Sequence, residues 1–242
     1  MMRLTDKNAI VEALKAGRVV SLHVGAAART DERAARIAAL AREAGVPVRD
    51  MPVKGRGPVE AVCNDFEYAT LESLMDAREE SGGLIVALDH VQDPMNLGAI
   101  LRTAAAAGAI GAVIERKRSC DVTPVVYETS CGGAERLLIV KVANLRQALS
   151  MMKERGCWVA GTDERAKDVC HDADMSGVSV LVMGGEGEGM SRITREECDY
   201  LVRVPTVEEF PSLNVSVAAG VLIFETMRQK RALGDKKRGG RA

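Results

Sequence analysis

Residues 179–224 read SVLVMGGEGEGMSRITREECDYLVRVPTVEEFPSLNVSVAAGVLIF, and this stretch decides the fold. Residues 180–183 form an uninterrupted apolar run, which is typical of a strand buried on both faces of a sheet. A glycine loop, 184–189, follows directly. Residues 200–204 predict a second strand, and residues 215 to about 230 predict a helix that is apolar nearly all round in its first three turns. Such a helix needs cover on more than one side, from its own domain or from another subunit.

The glycine loop indicates a ligand that approaches the backbone closely, because glycine has no Cβ and tolerates positive φ. Its spacing differs from the G-x-G-x-x-G of dinucleotide sites, and no lysine follows as in a P-loop. Glu186 and Glu188 would repel a pyrophosphate, so the loop favours a neutral or cationic ligand. Taken alone, it is also compatible with a plain surface turn. Farther along, Ser212 and Asn214 are residue types that cap helix N-termini, and they precede the apolar helix.

Composition predicts a soluble globular protein. The chain has 242 residues, a net charge of −1, six cysteines and three histidines. No apolar run approaches the roughly 18 residues of a membrane span, and the charged N-terminus does not resemble a signal peptide, so we expect a cytoplasmic location. The cysteines show no C-x-x-C and the histidines are isolated, so no metal site is expected.

Charge is unevenly distributed along the chain. Residues 1–60 hold 11 Lys/Arg and 7 Asp/Glu, residues 61–227 hold 15 and 26, and residues 228–242 hold 7 and 1. A polyanionic partner is therefore expected to bind mainly at the basic ends, with help from local basic loops such as 116–118. The last ten residues, 233–242, predict a basic, disordered tail.

The rest of the chain alternates β and α elements. Residues 1–78 predict a compact β/α unit, and the polar, glycine-bearing segment 77–83 has the composition of a linker. Residues 84–88 predict a strand, followed by a polar loop that ends in Asn96 and a helix over 97–107. Arg102 is a lone charge in that small, apolar helix, so it should reach a partner or a pocket. The alternation predicts a mostly parallel sheet with helices on both faces, over residues 79–232.

Three segments together carry a resemblance to a known family. These are Asp93-Pro-Met-Asn96-Leu-Gly98 with Arg102, Met183-Gly-Gly-Glu186-Gly-Glu-Gly189-Met, and Ser212-Leu-Asn214-Val-Ser216. In this order and spacing they resemble the three signature motifs of the SpoU (TrmH-like) RNA ribose 2′-O-methyltransferases of the SPOUT superfamily. The likeness covers about residues 82–230. The region before it resembles the small L30e-like RNA-binding domain of the branch that acts on large-subunit ribosomal RNA, although Gly55-Arg-Gly57-Pro58 stands where that branch usually has His-Gln-Gly.

The resemblance implies a trefoil-knotted α/β catalytic domain, whereas the sequence pattern alone predicts an ordinary open sheet. It also implies S-adenosylmethionine as methyl donor, bound against the loops at Gly184, Val204 and Leu213. It implies a homodimer, with RNA rather than DNA or a membrane as the partner. The expected reaction is 2′-O-methylation of a guanosine in 23S-type ribosomal RNA.

The resemblance further assigns the catalytic role to Arg102, with Asn96, Glu186, Ser212 and Asn214 positioning the arginine, the loops and the ribose. Because a guanidinium is a poor base in water, Arg102 either loses a proton in a dry, specially arranged pocket or stabilises the developing oxyanion and holds the adjacent phosphate. We favour the second role, with Glu186 as the partner of Arg102. The nearest alternative is a transfer-RNA ribose methyltransferase, a branch that usually lacks an N-terminal domain. A catalytically silent RNA-binding or ribosome-assembly protein is the alternative from another class.

Overall fold

A computed structural model describes residues 1–53, 57–209 and 212–239 of the chain. It contains a four-stranded sheet, formed by the N-terminal part, and a seven-stranded sheet formed by the remainder. The predicted α/β architecture, a small unit followed by a larger one built on a parallel sheet, is confirmed. Within the described ranges, no helix is both long enough and apolar enough to cross a membrane.

The N-terminal unit is a mixed sheet with two α-helices. Its elements are β1 (Met2–Leu4), α1 (Lys7–Lys15), β2 (Val19–Val24), a 3₁₀ helix (Ala26–Thr30), α2 (Glu32–Glu43), β3 (Val48–Asp50) and β4 (Val59–Cys63). The strand order is β1-β4-β2-β3, in which only the β2–β3 pair is parallel. Asp6 and Asp31 cap the two helices by accepting from backbone N–H groups. Of the Gly55-Arg-Gly57-Pro58 segment, Gly55 and Arg56 lie outside the described residues.

The larger unit contains seven strands and six α-helices within the described ranges. Its elements are α3 (Leu71–Ser81), β5 (Ile85–Asp89), α4 (Pro94–Ala107), β6 (Gly111–Glu115), α5 (Pro124–Thr129), a 3₁₀ helix (Gly133–Arg136), β7 (Leu138–Val142), α6 (Leu145–Glu154), β8 (Val159–Thr162), β9 (Asp168–Val169), β10 (Val180–Gly184), α7 (Arg192–Glu197), β11 (Tyr200–Arg203) and α8 (Val215–Gly239). Every strand pair in its sheet is parallel. The central strands β5 and β10 are buried at every position, as expected for a parallel sheet with both faces covered.

The strand order indicates a ligand site at the carboxyl ends of the central strands of this sheet. The order is β7-β6-β5-β10-β8-β11-β9, so β5 has β6 on one side and β10 on the other. The chain leaves β5 towards β6 and β7, crosses to the other side of β5 at β8, and fills the position directly beside β5 only with β10. Ligands of parallel α/β sheets bind at the carboxyl ends of the strands where the order switches in this way. The residues that follow β5, β6 and β10 are therefore neighbours.

Helix α4 begins and ends at strong local signals. The Asp93 side chain accepts from Met95 N at 2.8 Å, and Pro94 occupies the first turn. Gly108 ends the helix with φ 87°, in the left-handed region that glycine tolerates. Midway, a Cβ on Gly98 would lie 2.6 Å from the Cβ of Thr129, so the glycine lets α5 pack directly on α4.

The segment predicted as a linker is helical. Residues 77–81 are the last turns of α3, whose Leu74 and Met75 are buried in the core of the larger unit. Gly82 ends the helix with φ 65°, and a Cβ on Gly83 would lie 2.3 Å from Cγ2 of Ile110. These glycines therefore serve a helix end and a close contact rather than a flexible joint.

The two units pack against each other through polar pairs and a shared core. The Glu128 carboxylate on α5 accepts from the backbone N of Thr5 at 2.7 Å. Arg18 pairs with Glu135, Nε to Oε1 3.0 Å, and its guanidinium lies over the ring of Tyr127 at 5.2 Å. Burial raises the pKa of Glu135, while Arg18 acts in the opposite direction. One hydrophobic cluster includes residues of both units, so deleting residues 1–78 would expose core surface as well as remove a domain.

Helix α8 is longer than its apolar pattern predicts. The sequence ends it near residue 230, whereas the helix continues to Gly239. Within 233–239, Leu233 and the run 236–238 of Lys and Arg are good helix formers, whereas Gly234, Asp235 and Gly239 are not. Residues 240–242 of that tail lie outside the described part of the chain.

Candidate active site

The glycine loop closes on itself. A Cβ on Gly184 would lie 2.2 Å from the backbone of Gly189 and Met190, and one on Gly185 would lie 2.2 Å from the carbonyl oxygen of His90. Gly187 and Gly189 have φ values of 89° and 69°. We expected these glycines to admit a ligand. For Gly184 and Gly185, close contacts with the protein's own backbone already require the absence of a side chain.

Asn96 joins the three motif segments. Its Nδ2 donates to Oε1 of Glu186 in the glycine loop, and its Oδ1 accepts from Nδ2 of Asn214 at 3.1 Å. Because an ionised carboxylate can only accept, the Asn96 nitrogen must face Glu186, which leaves its oxygen for Asn214. The predicted convergence of Asn96, Glu186 and Asn214 is therefore present as a continuous hydrogen-bonded chain.

Asn214 also caps α8. Its Oδ1 accepts from the backbone N of Ser216 at 2.9 Å and from Oγ of Ser216 at 2.6 Å. The side chain thus satisfies an orphan donor in the first turn of α8 while its amide nitrogen reaches α4. Ser212, the other predicted cap, is exposed and lines the adjacent cleft.

Asp89 anchors the end of the glycine loop. Its side chain is 1% exposed, and Oδ2 accepts from the backbone N of Ser191 at 2.7 Å. The sequence places Asp89 at the end of an apolar strand, but it gives no indication that the carboxylate reaches Ser191. The contact depends on the pairing of β5 with β10, which brings the two loops side by side.

His90 lies between two carboxylates. Nδ1 is 3.3 Å from Oδ1 of Asp89, and Nε2 is 3.7 Å from Oε2 of Glu115. Atoms of these three residues come within 4.8 Å of one another, a grouping that the isolated histidines of the sequence did not predict. However, Arg118 Nη1 donates to Nε2 at 3.3 Å, and Asp89 and Glu115 each accept a backbone N–H. The Arg118–His90 contact therefore links the loops after β5 and β6, and backbone N–H groups hold the two carboxylates beside it.

A cleft of about 760 Å³ opens beside the glycine loop. Its lining includes five of the predicted site residues together with charged groups: Gly184, Glu186, Ser212, Leu213, Asn214, Asp163, Arg165, Arg195 and Arg203. Val204, also predicted, lines it as well, next to the apolar side chains of Met183, Val202 and Leu222. The three loops predicted to bind a ligand thus border one cavity.

Asp163 and Arg195 form an ion pair at the cleft that the sequence did not single out. Arg195 Nε lies 2.9 Å from Oδ2 of Asp163, and Asp163 Oδ1 accepts from the backbone N of Arg165 at 2.8 Å. The Asp163 side chain is 10% exposed and that of Arg195 is 40% exposed, so the carboxylate is shielded while the guanidinium reaches solvent. The pair joins the loop after β8 to α7 at the cleft.

Arg102 stands apart from the cleft lining. Its side chain is exposed, and among the described residues no hydrogen bond or ion pair involves its guanidinium. Glu186 contacts Asn96 instead, so the expected Arg102–Glu186 pair is absent from the described residues. The Arg102 backbone is closely packed, since a Cβ on Gly133 would lie 3.2 Å from its Cα. The face of α4 that carries Arg102 points outward, so the expectation that Arg102 reaches a partner or a pocket stays a prediction.

One face of α8 is apolar and exposed. Val217, Val221 and Phe224 are 54%, 42% and 49% exposed, and their i, i+4, i+7 spacing makes a single stripe. Val221 and Phe224 also line a groove with Val204 and Pro205. Hydrogen bonds from Arg228 lower the pKa of Glu225, on the same groove, to about 2. The helix is therefore covered on one side only, although its sequence indicates cover on several.

Comparison with known proteins gives consistent matches. The model of the SpoU rRNA Methylase family matches residues 83–224. The 23S rRNA (guanosine-2′-O-)-methyltransferase RlmB of Pseudomonas syringae pv. tomato is 42% identical over 215 residues, covering 84% of this chain and 86% of that protein. The putative TrmH family tRNA/rRNA methyltransferase YacO of Bacillus subtilis is 37% identical and covers 95% of this chain and 96% of its own. The crystal structure of the SpoU methyltransferase AviRb from Streptomyces viridochromogenes, in complex with AdoMet, superposes with a TM-score of 0.83 at 25% identity, covering 95% of this chain and 90% of that one.

Proposed function

The chain belongs to the SpoU rRNA methylase family, and from that premise we propose that it transfers a methyl group from S-adenosylmethionine to the ribose 2′ oxygen of a guanosine in 23S ribosomal RNA. The observation that carries the proposal is the chain of hydrogen bonds from Glu186 through Asn96 to Asn214, because it joins the three family motifs at the wall of one cleft. A cytoplasmic location, where ribosomes are assembled, is part of the same proposal.

The cleft fits S-adenosylmethionine as donor. One wall is apolar, with Met183, Val202 and Leu222, and suits the adenosyl group. The glycine loop contributes backbone and the carboxylates of Glu186 and Glu188, which tolerate a sulfonium and would repel a phosphate. When bound there, the donor supplies an electrophilic methyl group. Gly184, Val204 and Leu213 are the proposed contacts in the three loops.

Arg102 is proposed as the residue that stabilises the attacking oxygen. Methyl transfer requires the ribose hydroxyl to lose its proton as it attacks in line with the methyl group. The exposed guanidinium has no competing partner in the described part of the chain, so its donors are available to a ribose oxygen and the adjacent phosphate. Asn96, Glu186, Ser212 and Asn214 then hold the loops that align donor and ribose.

A homodimer is part of the proposed function. The stripe of Val217, Val221 and Phe224 and its groove present an apolar surface that a second copy of the chain would cover. Val221→Glu should therefore convert a dimer to a monomer in analytical ultracentrifugation. Val125→Glu, an equally exposed valine at 45% on α5, is the matched control and should leave the mass unchanged.

The decisive experiment supplies labelled S-adenosylmethionine and separated RNAs. We expect label in 23S ribosomal RNA that lacks the modification, in a nuclease-resistant dinucleotide containing 2′-O-methylguanosine, with none in 16S or transfer RNA. Label found only in transfer RNA would replace the proposed substrate and keep the chemistry. A protein that binds 23S RNA without transferring label would contradict the proposed reaction.

A further inference from the structure

A basic loop follows β6 at the edge of the sheet that carries the site. Arg116, Lys117 and Arg118 are consecutive and exposed. They lie in a part of the chain where acidic residues prevail, 26 against 15 over residues 61–227. Because β6 is the direct neighbour of β5, the loop lies beside the segment that leads to Asn96.

The loop is held in place at both ends. The backbone N of Arg116 donates to the carbonyl of Val142 at 2.7 Å, and that of Cys120 donates to the carbonyl of Val91 at 3.0 Å. The second of these bonds ties the basic loop directly to the loop between β5 and α4. Its cations are therefore presented from a fixed backbone next to the proposed site.

Arg118 and His90 share an unusual backbone conformation. Among the described residues, only His90, Arg118 and Cys131 have positive φ without being glycine. The first two contact each other, with Arg118 Nη1 donating to His90 Nε2 at 3.3 Å. Nδ1 of the same ring faces Oδ1 of Asp89 at 3.3 Å. Left-handed residues other than glycine persist where the surroundings enforce them, and they are concentrated at functional sites.

The cations of this loop lack carboxylate partners. The side chains of Arg116 and Lys117 make no hydrogen bond or ion pair with any described residue. Nearby carboxylates are already engaged: Asp121 pairs with Lys141, and Glu115 accepts from the backbone N of Leu145. The loop thus offers unneutralised positive charge, which is what a phosphodiester backbone requires.

We propose that the Arg116-Lys117-Arg118 loop binds the phosphate backbone of the RNA substrate beside the target nucleotide, with His90 positioning Arg118. The inference rests on the proposed function and adds a substrate-binding surface on the catalytic unit itself. Guanidinium groups match phosphate geometry, and phosphate contacts fix register without reading sequence. The loop therefore contributes to RNA affinity and to the alignment of the RNA on the enzyme, while other contacts select the nucleotide that is methylated.

The test compares two double variants with the same change in net charge. Arg116→Ala/Lys117→Ala removes two unpaired cations from the loop. Lys153→Ala/Arg155→Ala removes two cations that are already paired with carboxylates, Lys153 with Asp199 and Arg155 with Asp76 and Glu79, from α6 and the residue after it, which lead into the opposite edge of the sheet. Binding of a 23S fragment is measured from 50 to 200 mM salt, together with S-adenosylmethionine affinity, kcat and KM for RNA.

A plot of log binding constant against log salt concentration has a negative slope. We expect the loop variant to make this slope less steep by roughly 1.4–1.8, since each phosphate contact contributes about 0.7–0.9. Its affinity deficit relative to the wild type should then shrink by about ninefold over this salt range. KM for RNA should rise while donor affinity stays unchanged, and the α6 variant should behave as the wild type. A wild-type slope and KM in the loop variant, with an active wild-type enzyme, would overturn this inference alone. A wild-type protein that neither binds nor methylates RNA would overturn it together with the proposed function.

Discussion

Nδ2 of Asn214 donates to Oδ1 of Asn96 at 3.1 Å, although 118 residues separate the two. The bond connects the start of α8 to the first turn of α4, and Asn96 continues the connection to Glu186 in the glycine loop. Asn96 is 8% exposed, so breaking either bond would leave the nitrogen or the oxygen of a nearly buried amide without its partner. The relative positions of the three loops around the cleft therefore depend on this one side chain.

Replacing Asn96 by aspartate should damage donor binding. Asn96→Asp substitutes an acceptor for the donor that faces Glu186 and places two carboxylates in contact, at a cost of about 1–3 kcal/mol or more. We expect at least a tenfold loss of S-adenosylmethionine affinity in calorimetry. Adding Glu186→Gln returns a donor to the pair and should recover much of the loss. Equal affinity in the single and the double variant would show that the Asn96–Glu186 contact does not shape the cleft.

Truncating Arg102 should affect chemistry and leave donor binding intact. The side chain is exposed and does not line the cleft, so Arg102→Ala removes no described contact. Loss of one oxyanion donor typically lowers kcat by about 10²–10³. We expect a loss of at least this size in single-turnover assays, with unchanged S-adenosylmethionine affinity and thermal midpoint. Arg102→Lys keeps the positive charge but lacks the planar guanidinium, so its single-turnover rate should lie between those of the wild type and Arg102→Ala. Retained turnover in Arg102→Ala would remove this residue from the mechanism.

The sequence predicts the parallel sheet because this depends on local patterns. The apolar runs that became β5 and β10 are short, and buried strands of this kind have a recognisable composition. Asn96, Glu186 and Asn214 each follow or precede an element whose type is clear. Their meeting depends on the strand order, which local patterns do not determine, so it was expected from the family resemblance alone.

Contacts that depend on side-chain direction were harder to predict. Arg102 lies in an apolar helix, yet its position on α4 faces outward, because Leu97, Ile100 and Leu101 on the other faces make the buried contacts. The segment 77–83 has a linker composition, but Leu74 and Met75 just before it anchor the helix in the core. Polar residues on the exposed side of a short amphipathic helix resemble a linker when the buried side contributes few positions.

Gly185→Ala should disrupt the loop without any ligand being involved. A Cβ there would lie 2.2 Å from the carbonyl oxygen of His90, a backbone atom that cannot move without displacing the end of β5. We expect a loss of stability of about 1–3 kcal/mol in denaturant unfolding, together with weaker donor binding. Gly177→Ala is the matched control, because its Cβ would meet nothing within 4 Å. Similar stabilities for the two variants would show that the loop has room to adjust.

Stability at acid pH should depend on Glu225. Its carboxylate accepts from Arg228 at 2.7 and 2.8 Å and from Gln229 at 2.7 Å, and its side chain is 15% exposed. The hydrogen bonds from Arg228 lower its pKa from the usual 4.5 to about 2. A group whose pKa is lower in the folded state stabilises the protein above its unfolded pKa and loses that contribution as pH falls towards the folded value.

The wild type should therefore exceed Glu225→Gln in thermal midpoint by a constant margin above about pH 5, and the margin should vanish as pH falls from 4.5 to about 2. Glu196→Gln provides the control. Its partner Arg192 is also on the same helix, but both side chains are more than half exposed, and such surface pairs contribute little. Because Glu225 lines the groove proposed to receive a second subunit, each measurement is made at two protein concentrations. A margin that changes with concentration would locate the acid sensitivity in the dimer contact, whereas a margin independent of both pH and concentration would contradict the role assigned to the Glu225–Arg228 pair.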